Sequence, residues 1–519
     1  MEITQRKIRV ATFFVLTAAF NFLFWQEKPG INYAIYSLIF IGVLAFIEPQ
    51  KLKRKYVLVS LIGILISLFA IVYVNSILSV IMFFASVMLF ITFYYQEELR
   101  SIYYVLPASL INFFYSLGIF FGSAGKRSQK TNSGKKAYKW LKLLIIPAII
   151  TLIFFFIYFR SNPFVEKFTI RVFDGILDYF NAFFENYPFL RFVFIIWGAL
   201  MACYLLFYKK GEFFKTVDEQ QPDDIERKRK KHSFKFPLNG LMNEYKVAVI
   251  TLVSLNLLLL LVNVVDVWKV WIAFDYKAGV NLSAELHEGI YLLILSILLS
   301  IGILVYFFKG NINFIHNNKH LKVLGFVWLT QNIALATTAF LKCLYYINYY
   351  SLTYKRIGVL MFLSLTVFGL VMMFFKVEKR KTVYFLLRSN TWFIYLFFVI
   401  ASLINWDVMI TKYNLSVSKG NSADFKYLIS LSNKALPELL ESKAFYDYNH
   451  KPILPEDSPN YDFNYQYIDL KYPIQKYLEN QSRLSVLSWN RSDANLVDYF
   501  RAKGFKTIEE EQAELQKKK

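Results

Sequence analysis

Charge is scarce in this sequence. Asp, Glu, Lys and Arg make up 18% of its 519 residues, where a soluble protein of this length carries roughly 25%, and the shortfall excludes an ordinary water-soluble globule. Cysteine is scarcer still. Cys203 sits inside an apolar run and Cys343 beside one; neither has a metal-ligand spacing, and no disulfide framework is indicated. Enzyme signatures are missing too, with no phosphate-binding glycine loop, nucleophile elbow or paired-carboxylate motif. HEGIY (287–291) begins like a zinc-protease helix but lacks the second histidine four residues after the first. His316 and His320 of HNNKH have that spacing without a third ligand nearby, so they read as solvated loop residues. No metal or cofactor is implied, and no internal repeat of the transporter kind stands out.

What is abundant is apolar sequence: 56% of residues are hydrophobic and 19% aromatic. Runs long enough to cross a ~30 Å hydrocarbon core fall at 8–25, 31–47, 56–74, 77–95, 140–159, 189–208, 245–265, 287–308, 321–341, 357–375 and 391–410. The fold class is therefore an all-α polytopic membrane protein. The first run follows Arg6, Lys7 and Arg9 as a signal peptide would, but it is long and lacks a small-x-small cleavage site, so it reads as a retained anchor. A twelfth segment, 102–121, contains Pro107, Asn112 and a Gly118/Gly122 pair, and composition leaves it ambiguous.

Charge distribution separates eleven spans from twelve. With a cytoplasmic N-terminus and 102–121 lying in the interface or re-entering, the cytoplasmic segments hold 33 Lys and Arg against 10 in the outer loops before the tail. If 102–121 crosses, the basic N-terminus and KLKRK (51–55) fall opposite RKRKK (227–231). The positive-inside rule favours the first arrangement. It also accounts for the formal charge of +22 without a nucleic-acid partner. The expected location is a bacterial cytoplasmic membrane, with the N-terminus inside and the C-terminal region outside.

The chain divides into a hydrophobic bundle (1–122), a basic linker (123–139), a section with two spans (140–244), a five-span core (245–410) and an extramembrane C-terminal domain (411–519). Within 140–244, segment 164–184 spaces its apolar residues on one helical face and sets Glu166, Lys167, Arg171, Asp174 and Asp178 on the other. Such a helix lies on a membrane surface or packs on the protein's own membrane domain. The basic loop 209–244 carries RKRKK, a solvated run suited to anionic lipid. The tail balances 16 Lys and Arg against 15 Asp and Glu; it is a candidate surface for a protein partner. Within it, 424–440 predicts two short helices, 446–470 an irregular or short-stranded stretch, 492–503 a helix capped by Ser492, and 506–519 a frayed charged end.

Two polar groupings are candidate sites. Asp266, Asp275, Glu285, His287, Glu288, Lys355, Arg356 and Asp407 all fall at helix ends or loops on one membrane face. Charges there anchor helix ends in the headgroup layer, or pair around a watery mouth that binds an ion or polar ligand. A histidine among carboxylates can also titrate near neutral pH. Gln331 and Asn332 form the second grouping, at the middle of 321–341. Such amides bond to a neighbouring helix or line a pathway.

Several of these residues also carry a resemblance. LTYKRIGV (352–359), Glu285-x-x-x-Gly289, Asn405-Trp406-Asp407 followed by Asn414, and the tail pattern from Asp424, Tyr427 and Leu428 to Pro437 and Leu439 resemble a bacterial family of polytopic membrane proteins described as a domain of unknown function. SWNRS (488–492) resembles its closing motif. The likeness covers about residues 240–500 and departs at AELHEG (284–289), where members often have an Arg-rich start. It implies an architecture and names no activity. Three functions remain open: binding or transport of a small solute or ion, a non-catalytic scaffold or sensor acting through the C-terminal domain, and a transferase acting on lipid-linked substrates through acidic residues such as Asp266, Asp275 and Asp407.

Overall fold

The computed structural model describes residues 2–124, 151, 154–155, 158–159, 161–183, 189–208, 212–227, 240–272, 282–315, 318–417, 423–450 and 467–517. Its elements are helices, with one isolated β-bridge between Asp224 and Lys381 among the described residues. They form two compact units: residues 1–100, 104–218 and 479–495, and residues 101–103, 219–478 and 496–519.

Seven of these helices are long and apolar enough to cross a membrane, and three more contain shorter apolar stretches. Their side chains are arranged for lipid. Phe14, Phe22, Leu38, Phe46, Ile62 and Phe69 face outward, while Ser37, Ser60, Ser67 and Ser86 are buried. Each buried hydroxyl donates to the carbonyl four residues back, at 2.7 to 2.9 Å. Water would favour the reverse arrangement. In lipid, small polar residues let helices approach closely and large apolar ones meet acyl chains.

The first unit contains α1 (Glu2–Phe24), α2 (Ile31–Ile47), α3 (Lys55–Tyr73), α4 (Ile77–Tyr95), α5 (Ile102–Ala124), α6 (Pro163–Phe183) and α7 (Phe189–Leu206), with α8 (Glu212–Glu219) at its edge. α1 packs on α2 and α7, and α3 on α4. Asn75 adopts φ 51°, which lets the chain reverse in a few residues, and Ser76 with Ser79 caps α4 reciprocally at 3.1 Å each. One end of the unit is charged. Glu48 takes Arg9 at 2.9 Å and Lys51 at 2.5 Å; Arg54 meets Glu97 at 2.5 Å and Lys215 meets Glu98 at 3.0 Å. Buried Asp218 accepts the Arg100 amide at 2.5 Å.

At the other end, part of the tail is latched onto the first loops. The Lys28 amide donates to Ser488 Oγ at 2.7 Å, and the Ser488 hydroxyl donates to Glu27. The Ile31 amide meets the Trp489 carbonyl at 3.0 Å, and Asn75 donates to Asp493 at 3.3 Å. Arg491 lies 5.5 Å from the Tyr73 ring centre.

The second unit contains α9 (Leu241–Val267), α10 (Leu282–Phe307), α11 (Lys319–Tyr350), α12 (Tyr354–Glu378), α13 (Val383–Ala401) and α14 (Trp406–Val417). The tail follows as α15 (Phe425–Ile429), α16 (Leu436–Leu440), α17 (Lys443–Asn449), α18 (Lys471–Ser482), α19 (Arg491–Ala502) and α20 (Ile508–Lys517). α11 is 32 residues long, about 48 Å at 1.5 Å per residue, so it projects beyond a hydrocarbon core. Cys343, Ile347, Leu352, Ile357 and Ile410 on and after that projection share one core with Phe425, Leu439, Ile474, Leu496 and Phe500 of the tail. The tail therefore packs on helix ends as part of the same core. At another place in the unit, Arg388 pairs with Asp223 at 2.7 Å and Lys381 with Asp224 at 2.6 Å. Lys376, 1% exposed, donates to the Phe308 carbonyl at 2.9 Å.

Several local expectations change. The apolar run at 391–410 is not one helix: α13 covers 383–401, a turn follows, and α14 starts at Trp406. Trp406 Nε1 donates back to the Ala401 carbonyl at 3.0 Å and closes that turn. Asn490 rather than Ser492 caps α19, accepting the Asp493 amide at 2.9 Å. The terminal stretch is helical because Thr507 and Glu510 form a capping box, at 3.1 and 2.9 Å. The stretch 446–470 begins inside α17, and its residues 451–466 lie outside the described ones.

Candidate functional site

The site is built on the turn from α11 to α12, the stretch that carries YKRIG. Ser351 takes φ 71°, a left-handed conformation that a non-glycine residue keeps only when its surroundings hold it. Three groups hold it. Asn414 of α14 clasps the next residue: its Oδ1 accepts the Leu352 amide at 2.6 Å, and its Nδ2 donates to the Leu352 carbonyl at 3.0 Å. Arg356 folds back and donates to the carbonyls of Tyr350 and Ser351, with its guanidinium 4.3 Å from the Tyr346 ring centre. Tyr427 of the tail accepts the Tyr354 amide at 3.2 Å.

Asp407, in the first turn of α14, accepts the Tyr354 hydroxyl at 2.6 Å. Asp424 caps α15 by accepting the Tyr427 amide at 3.0 Å, which orients the Tyr427 ring. Burial raises the Tyr427 phenol's pKa and Asp407 adds to the rise, while the Tyr354 amide and Arg356 oppose it. The net direction is upward, so the phenol stays protonated at neutral pH. Patches 352–356, 405–414 and 424–427 thus converge on one turn. Arg356 and Asp407 belong to it, bonded to main-chain carbonyls and to Tyr354. Lys355 is exposed.

Asp266 pairs with Lys342 of α11 at 2.9 Å. Lys342 and Tyr346 are one turn apart, so the Asp266 pair and the Arg356 stack attach to successive turns of α11. Asp275 lies outside the described residues, as do the side chains of Glu285, His287 and Glu288, whose backbone forms the start of α10. His316 and residues 228–231 are outside them also. No group of three His, Cys, Asp or Glu residues suited to a metal occurs among the described residues.

Gln331 joins a polar seam between α9 and α11. It donates to Asn256 Oδ1 at 2.9 Å. Asn256 donates to the Leu324 carbonyl and Asn263 to the Gln331 carbonyl, both at 3.1 Å. Trp271 reaches Thr338 at 3.1 Å. Partner numbers rise together along both helices, so α9 and α11 run parallel. The two asparagine bonds repeat after seven residues on each helix, the period of a left-handed pair. Asn332 instead donates to its own helix, at the Trp328 carbonyl, 2.8 Å away. The oxygens Asn263 Oδ1, Gln331 Oε1 and Asn332 Oδ1 are buried without a partner among the described residues.

Sequence reasoning missed Asn256, Lys342 and Tyr354. The seven-residue spacing of Asn256 and Asn263 was the readable signal for the first. Lys342 and Tyr354 gave none, because each is defined by a partner dozens of residues away.

Lipid-facing apolar helices, hydroxyls turned inward and polar groups gathered at helix ends define a polytopic helical membrane protein. More particularly, the chain belongs to the family described as a domain of unknown function (DUF4153), whose match runs over residues 60–442. No curated protein and no solved structure matches the chain.

Proposed function

We propose that this protein is an eleven-span scaffold of a bacterial cytoplasmic membrane that presents its C-terminal region outside the cell membrane to a protein partner. The observation that carries the scaffold reading is that, among the described residues, polar groups of the junction and of the seam are held by protein partners. Asp407 is held by Tyr354, Arg356 by two carbonyls, Asp266 by Lys342 and Gln331 by Asn256. The same engagement argues against a transferase acting through Asp266 or Asp407. Attraction of anionic lipid to 227–231 fits the cytoplasmic side.

Parity supports the span count. The tail latches onto loops at Glu27–Ile31 and Asn75, which follow the first and third spans. They lie opposite the N-terminus, so a tail on that face requires an odd total. Glu98 pairs with Lys215, and Arg100 with Asp218. Those contacts require an even number of crossings between residues 100 and 215. α7 is one, so a single crossing comes from 102–121 or 140–159, and positive charge in the linker 123–139 favours the latter. α5 lies beside α7, where Ser109 meets Tyr204 and Phe113 lies 5.9 Å from Trp197. A reporter fused after Lys519 is expected to behave as extracytoplasmic; cytoplasmic behaviour would overturn the odd count.

A second reading, binding of an ion or small polar solute, rests on the three unpartnered amide oxygens of the seam, since buried polar atoms ordinarily find partners. Reconstituted vesicles separate the two. The scaffold reading expects no sodium, potassium or proton flux above that of protein-free vesicles. A flux abolished by Gln331→Leu would reject it in favour of the second.

A further inference from the structure

The first unit contains a half-open cavity of about 430 Å³ between α1, α2, α4, α5 and α7, within the size range of small-ligand sites. Its wall is aromatic: Phe20, Phe24, Phe83, Phe113, Phe194 and Trp197 line it. Protein interiors leave few voids larger than a water molecule, and an apolar space of this size stays dry unless an apolar group fills it. One polar atom is left over in its wall. Tyr36, also lining it and only 7% exposed, has a hydroxyl without a partner among the described residues.

The rim adds charge. Glu27 lines the cavity and accepts the Ser488 hydroxyl, so the latched tail reaches its edge. Arg191 lies one helical turn from Phe194, its guanidinium 5.3 Å from the Trp25 ring centre, and Trp25 packs on Phe194 at 5.3 Å. Arg191 makes no ion pair among the described residues. Tyr36 lies five residues into α2, about 8 Å below that rim.

We infer that this cavity holds one acyl chain of a membrane glycerophospholipid, with its phosphate at Arg191 and an ester carbonyl accepting the Tyr36 hydroxyl. The aromatic wall supplies the apolar contact, and the bilayer is the reservoir. The distance from rim to Tyr36 separates a phosphate-binding end from an ester-binding one, which a free hydrocarbon would not need. The inference does not depend on the scaffold reading.

Its test uses the full-length protein, purified and stripped of lipid in detergent, with a phosphatidylethanolamine bearing a photoactivatable diazirine in one acyl chain. Labelling of peptides covering 83–88 and 194–201 is expected to saturate and to be displaced by unlabelled phosphatidylethanolamine. Val87→Trp, which fills the space, is expected to cut that labelling by about tenfold or more, and Tyr36→Phe by about threefold. Labelling that rises without saturation in the wild type, or persists unchanged in Val87→Trp, would overturn the site; the wild-type arm does not depend on any variant folding. Palmitic acid is the second competitor. If it displaces the probe as well as the phospholipid does, and Arg191→Ala changes neither competition, the phospholipid assignment fails.

Discussion

Asn414→Leu is expected to lower stability by about 2–5 kcal/mol, the consequence of leaving two buried main-chain groups without hydrogen bonds. Leu352 is 6% exposed and has no other group to replace the clasp that Asn414 provides. Leucine has similar bulk, so the loss comes from desolvated N–H and C=O groups and not from a cavity. Relief of the Ser351 conformation offsets a part of the loss, because a left-handed non-glycine residue relaxes once its restraints go. The measurement is unfolding in detergent together with hydrogen exchange at 351–356, where protection should collapse before that of the rest of α12. Lys412→Ala is the matched control: it removes an exposed pair to Glu438 at 3.2 Å, worth about 0.2–1 kcal/mol. A stability for Asn414→Leu indistinguishable from the control would remove Asn414 from the centre of the junction.

That junction explains why sequence reading went only part of the way. YKRIG, the Asn405–Asn414 patch and the Asp424–Tyr427 patch each stood out alone, because charged and aromatic residues beside long apolar runs are conspicuous. Their convergence was not visible, since Leu352 and Asn414 are 62 positions apart and nothing in either stretch names the other. Arg356 and Asp407 read naturally as a pair of opposite charges; local geometry gives each a nearer partner. A main-chain carbonyl one turn back competes well with a carboxylate when the turn is left-handed and exposes its oxygens.

Helix boundaries show the same division. α2 and α4 match the apolar runs 31–47 and 77–95 residue for residue, because polar residues bracket both. α13 does not match, because apolar sequence continues through SLIN and past the break at 402–405. Its true start at Val383 was hidden by Arg388, a residue unsuited to a span until Asp223 is seen beside it. α20 was legible in principle: Thr507-x-x-Glu510 is a capping-box pattern, overshadowed by the charge run that follows.

Gly30→Ala is expected to release the tail. An added Cβ would lie 2.6 Å from the Ser488 carbonyl carbon and oxygen and from the Trp489 oxygen, all main-chain atoms that cannot swing aside as a side chain does. Gly30 has φ −172°, an extended value open to any residue, so the effect isolates steric exclusion from backbone strain. Displacing Ser488 and Trp489 forfeits the bonds from the Lys28 and Ile31 amides and the Ser488 bond to Glu27. At about 1 kcal/mol each, those three bonds correspond to a shift of about a hundredfold in the latched population. Trypsin cleavage after Arg491, now over the Tyr73 ring, should accelerate by about that factor while cleavage inside the helices does not. Gly42→Ala, where nothing lies within 4 Å of the new atom, should leave the tail protected. Equal cleavage rates in the two variants would mean that the tail is held from elsewhere. Should release occur, the segment that resembled a closing motif acts as one physically: it holds Ser488 and Trp489 to the loop between the first two helices, at the rim of the aromatic cavity.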